Sequence, residues 1–244
     1  TLTLQAGAIL HICGNYLNQG SLNANPASTI IFDNAAVYQT ISGALTGSDR
    51  FPNLIITKTG GQVLLNNDID IGGNFTTSNN TSVFNSSGKY VKLAGNFSNA
   101  NGNTTFSNTG TLGTLEFNGT SAQTYNQGSS NLDLNFVIMN HSGTGLTLNT
   151  FMRIKTTTGS LTLTAGKIIT GANEVVVFNR TPSSVSIGNA TSYVEGFLRR
   201  YINATGSYDF PVGQSARGYE RANINLTSNS NIDNLLASFI PYAV

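Results

Sequence analysis

The chain has 244 residues, with 12 Lys+Arg against 11 Asp+Glu, a net charge of +1 and only 9% charged residues, where an average globular protein has about 25%. So thin and balanced a charge leaves no electrostatic footprint for nucleic acid, and no apolar run approaches the ~20 residues of a membrane-spanning helix. One cysteine and two histidines make neither an internal disulfide nor a zinc site, while 39% hydrophobic residues supply a core and 32 Asn with 26 Gly supply turns.

The chain opens on Thr1-Leu2-Thr3-Leu4, which alternates like a strand, with no initiator Met or signal peptide before it. It is read as a piece of a longer parent chain. Short runs rich in β-branched and aromatic residues follow: 29–32, 54–57, 62–65, 136–139, 145–148, 161–164 and 174–178. Asn, Gly, Ser and Thr punctuate them, and no long window keeps a helical period, so the chain reads as all-β.

Gly73-Asn74-Phe75 recurs 22 residues on as Gly95-Asn96-Phe97, with Gly14-Asn15-Tyr16 as an earlier relative. Phe84-Asn85-Ser86-Ser87-Gly88 recurs at the same spacing as Phe106-Ser107-Asn108-Thr109-Gly110. A longer repeat sets Asp33-Asn34 and Gln39 against Asn118-Gly119 and Gln123, and Lys58 against His141 at an offset of 83. A period of about 22 residues with short strands predicts a parallel β-helix, in which no rung buries its inward face alone. Residues 1–191 make roughly eight or nine rungs at ~4.8 Å spacing, near 40 Å in all. A β-sandwich with Greek-key turns is the rival fold. The Asn excess suits left-handed corners and hydrogen-bonded ladders. From residue 192 the beat is lost, and four longer strands over 193–201, 206–213, 219–226 and 235–240 predict a β cap or partial sandwich in 192–244.

The order "GNY…STIIFDN…QTISG…NLIITKTGG…LTLTAGKIITGANEVVVFN…YVEGFLRR…GSYDFPVG" resembles the β-helical repeat segments of large secreted and cell-surface, adhesin-like proteins of Bacteroidota, which commonly end in a sorting domain for type IX secretion. The resemblance covers nearly the whole chain, but its motifs are structural turns. It implies a right-handed coil, an extracellular or cell-surface location and a non-enzymatic role as spacer and adhesion segment. No sorting domain is visible in the sequence. Two other roles stand beside this one: a carbohydrate-active enzyme on a β-helix, and a subunit that self-associates through strand edges.

Few residues carry candidate chemistry. Asp68 and Asp70 flank Ile69 and point outward roughly 6.5–7 Å apart. That spacing suits calcium or an acid/base pair, though two solvated aspartates on a coil face is the plainer reading. No other metal or cofactor is expected. Arg199, Arg217, Tyr201 and Tyr219 gather in the C-terminal segment, where Arg could hold an anionic glycan and Tyr could stack on a sugar ring; acids nearby also allow a salt-bridge network. His11, His141 and a partly buried Cys13 are assigned structural roles.

Overall fold

In the computed structural model the chain is nearly all β, and the structure describes residues 1–35, 38–78, 81–100, 112–128, 131–154, 157–228 and 231–240. Stacked parallel coils form a β-solenoid of about 8 turns, with about 23 residues between bridged strands. Among the described residues the helical elements are two 3-10 turns, Gly47–Asp49 and Pro182–Ser184. The backbone groups into two units, residues 1–116 with 126–132, and residues 117–125 with 133–244.

In the first unit one parallel face runs through Ile9–Ile12, Thr29–Phe32, Asn53–Ile56, Phe75–Thr77 and Phe97–Asn99. Strand side chains alternate between faces, so the register places Ile30, Leu54, Phe75 and Phe97 in one buried column. A second face runs through Tyr16–Asn18, Gln39–Gly43, Gln62–Leu65 and Val83–Asn85, and a third pairs Ile69–Ile71 with Tyr90–Leu93. Full burial of an Ile, Leu or Phe side chain contributes about 1.5–3 kcal/mol, and only the neighbouring coil provides that burial here.

The Gly-Asn-Phe repeat has a direct cause. Phe75 and Phe97 pair in register and stack with centroids 5.4 Å apart. The Asn53 Oδ1 accepts the Asn74 N–H at 2.9 Å, and the Asn74 Oδ1 accepts the Asn96 N–H at 2.8 Å. The glycine is needed because the coils close on each other: a Cβ on Gly95 would stand 2.4 Å from the Gly73 carbonyl carbon. The second pentapeptide of the other 22-residue repeat, 106–110, lies outside the described residues.

The expectation of left-handed asparagines is corrected. Among the described residues Ser87 alone, besides glycines, has a positive φ, 50°. Asn18, Asn25, Asn85, Asn179 and Asn189 instead each accept the N–H two residues ahead. The asparagine thus makes its turn with the side chain, and the left-handed positions fall to glycines and Ser87.

In the second unit the register builds the columns Leu146–Ile168–Val194, Met152–Val175–Leu198 and Ile154–Val177–Arg200. Val194–Tyr201 still runs parallel to Ile168–Val177. Beyond it, Gly206–Gln214 and Gly218–Leu226 form an antiparallel hairpin, and Asn234–Ala237 lies antiparallel on Val194–Tyr201. Gly206–Gln214 continues the parallel run, pairing Val212 and Gly213 with Val194 and Glu195, and the antiparallel Gly218–Leu226 and Asn234–Ala237 then cover part of the edge, which would otherwise invite further pairing.

Candidate functional site

Three strands of the second unit build a groove. On Met152–Ile154, Ile168–Val177 and Val194–Tyr201, residues Arg153, Val176 and Arg199 stand in register. Their neighbours Met152, Ile154, Val175, Val177, Leu198 and Arg200 are buried, so alternation turns Arg153 and Arg199 outward. With Phe151, Glu174, Phe178, Tyr201 and Asn234 they line a groove of about 460 Å³.

Polar bonds fix its walls. The Arg199 Nε donates to both Glu174 carboxylate oxygens, at 3.0 and 3.2 Å, and its Nη1 donates to the Asn234 Oδ1 at 2.8 Å. The Arg153 Nε donates to the Asp133 Oδ1 at 2.7 Å. Arg153 lies 4.7 Å over the Phe178 ring, Phe178 stacks on Tyr201 at 4.7 Å and 22°, and Arg180 lies 5.3 Å from the Tyr201 centroid. Arg180 is in turn paired with Asp233. Cation, ring, ring and cation thus form one ladder, whose ring faces already have partners. Phe151, 37% exposed, is the other aromatic side chain lining the groove.

Of the residues singled out in the sequence, Arg199 and Tyr201 are brought together here. Arg217 and Tyr219 do not line the groove. Arg217 is exposed on the turn of the C-terminal hairpin, and the Tyr219 hydroxyl donates to the Ile187 carbonyl. Arg200, next in sequence to Arg199, is fully buried. Its Nη groups donate to the carbonyls of Asp209, Thr181 and Pro182 and to the Ser184 Oγ. Burial lowers its pKa to about 10 against the partial opposition of Asp209 and Tyr208. Phe151, Arg153, Glu174, Phe178 and Asn234 were not singled out; the one signal for Arg153 is its place between two apolar neighbours.

Asp68 and Asp70 each hold a backbone donor from another segment. The Asp68 Oδ1 accepts the Tyr90 N–H and the Asp70 Oδ2 accepts the Gly47 N–H, both at 2.9 Å, so they reach toward different segments. Among the described residues no three His, Cys, Asp or Glu side chains group as metal ligands. The His11 Nδ1 lies 2.5 Å from the Asp33 Oδ2. The expectation of a partly buried Cys13 is corrected: the thiol is exposed, because it shares the outward parity of Ile9 and His11, which are exposed as well.

A second groove, of about 720 Å³, holds His141, Lys167 and Ser215. His141 is buried; its Nδ1 accepts the Gly143 and Gly145 N–H groups and its Nε2 bonds the Ser121 carbonyl. Both ring nitrogens are therefore committed to backbone. Tyr193 first, then Glu195, raises the Lys167 pKa, so this ammonium donates to the Ser215 Oγ at 2.8 Å rather than taking its proton. The Ser215 Oγ donates in turn to the Glu195 Oε2 at 2.5 Å, and that carboxylate is ion-paired with Lys167. Among the described residues no helix is long and apolar enough to cross a membrane. No family model matches the chain, and neither does any curated protein or solved structure.

Proposed function

We propose that the chain is a non-enzymatic structural and adhesion segment of a larger extracellular or cell-surface protein, and that it binds glycans in the groove around Arg199 and Tyr201. The observation that carries this reading is the convergence of exposed Phe151 with Arg153, Arg199 and Asn234 in one groove. A sugar offers a hydroxyl rim and an apolar C–H face. Phe151 supplies the apolar contact, since the faces of Phe178 and Tyr201 are engaged in the ladder. Among the described residues the Arg153 Nη groups and the Arg199 Nη2 have no hydrogen-bond partner, so they can donate to hydroxyls.

Charge decides the kind of glycan. Arg153, Arg180 and Arg199 each have a carboxylate partner in Asp133, Asp233 and Glu174. The balanced groove therefore favours neutral, hydroxyl-rich sugars over sulfated ones held by net charge. Glu174 is the one carboxylate lining it, whereas glycoside hydrolysis uses two.

Retention on a panel of neutral and sulfated polysaccharides, scored also for new reducing or unsaturated ends, tests this. Retention on a neutral polymer without scission is expected. Phe151→Ala should weaken it by roughly tenfold, about 1.4 kcal/mol. Retention unchanged in Phe151→Ala and Arg199→Ala would remove the groove from the reading, and scission of any polymer would replace adhesion with catalysis.

A further inference from the structure

Lys58 and Gln39 are both fully buried in the first unit. Lys58 follows the Asn53–Ile56 strand and Gln39 opens the Gln39–Gly43 strand. The Lys58 Nζ donates to the Asn34 carbonyl at 2.5 Å and to the Gln39 Oε1 at 2.7 Å. Burial lowers the Lys58 pKa, partly opposed by Asp33, which favours the neutral amine and its lone pair. The carbon nearest to this amine through its own hydrogen bond is the Gln39 Cδ, one bond beyond Oε1. That amide is held on its other side as well: its Nε2 donates to the carbonyls of Ile12 and Gly14 at 2.7 and 2.8 Å. Both reactants are therefore held within one hydrogen bond of each other, the proximity that makes an intramolecular acyl transfer effective.

We propose that Lys58 and Gln39 join in an intramolecular isopeptide bond. The Nζ lone pair attacks the Gln39 Cδ and forms the new C–N bond. The Cδ–Nε2 bond breaks, and Nε2 takes the proton shed by Nζ and leaves as ammonia. No oxidant, metal or second substrate enters the balance. The remaining Nζ–H keeps the Asn34 carbonyl as its acceptor. The Ile12 and Gly14 carbonyls belong to half-exposed and exposed residues, so water can replace the bonds lost from Nε2. The link would close a loop between residues 19 positions apart and lock that corner of the coil covalently, lowering the entropy of the unfolded chain as any cross-link does. The internal repeat supplies a contrast: His141 stands where the repeat aligns with Lys58, and its ring carries no primary amine for the same reaction.

Intact-mass spectrometry of the purified chain tests the proposal, after mild alkaline incubation to hydrolyse any succinimide at asparagine. The expected product is lighter than the sequence mass by one ammonia. A protease digest should contain one branched peptide joining Gln39 to Lys58. Lys58→Met should restore the full mass. A wild-type chain at its full sequence mass would overturn the proposal without any variant having to fold, and so would an ammonia deficit that persists in Lys58→Met.

Discussion

Asp68 and Asp70 show how much a single oxygen does in this fold. Each carboxylate holds one backbone N–H from another segment, Tyr90 and Gly47 respectively, and a side chain that satisfies such a donor contributes about 1 kcal/mol. An asparagine at either place keeps the accepting Oδ1, whereas alanine removes it. Asp68→Ala and Asp70→Ala should therefore each lose about 1 kcal/mol in urea unfolding, and the Asn variants should lose well under half of that. A calcium site would behave differently, because it needs the charge. Equal losses in the Asn and Ala variants, together with a melting temperature lowered by chelator, would support the metal reading.

At the scale of the element, the coil is specified by what stacks on the next coil. A Cβ on Gly95 would meet the Gly73 carbonyl carbon at 2.4 Å, while a Cβ on Gly14, at the head of the related Gly14-Asn15-Tyr16, meets nothing within 4 Å. Gly95→Ala should cost about 2 kcal/mol or more, since rigid backbone must move, and Gly14→Ala should stay within about 0.5 kcal/mol. Paired denaturant titrations decide the matter; equal effects would refute the close-approach account. The same contacts explain what was legible in the sequence. Gly-Asn-Phe was visible as a repeat because Gly73/Gly95, Asn74/Asn96 and Phe75/Phe97 stand in adjacent coils and bond to their own kind. Arg199 and Tyr201 were visible because they share one strand, Val194–Tyr201. Phe151, Arg153, Glu174 and Phe178 reach the same groove from other coils, and the spacing between coils varies: Asp133 pairs with Arg153, but Ile168 pairs with Val194. No fixed period could align them. The role of asparagine was misread for a related reason, since composition marks a turn residue without saying whether its backbone or its side chain makes the turn.

Across the whole molecule, the six ion pairs of the described residues all involve partly exposed side chains, and such pairs contribute about 0–1 kcal/mol each. Buried tyrosines are the stronger source of pH dependence. Tyr125 lies wholly in the core, and its pKa is raised by burial and further by Asp133. Burial also raises Tyr90, whose hydroxyl donates to the Glu116 Oε2 at 2.5 Å, and Tyr16, with Asp49 adding to the shift. Each of these groups ionises near 10.0 when unfolded and higher when folded, so the native chain binds more protons above that value. Its stability is complete below pH ~10 and falls as pH rises beyond it. The first unit carries Tyr16 and Tyr90 and the second carries Tyr125, so the liability is present in both. In an alkaline titration, part of the tyrosinate absorbance should therefore appear only together with loss of the β circular-dichroism signal. Full tyrosine ionisation near pH 10 with that signal intact would show that these hydroxyls are not sealed in the coils, and the stacked column would lose its claim to exclude water.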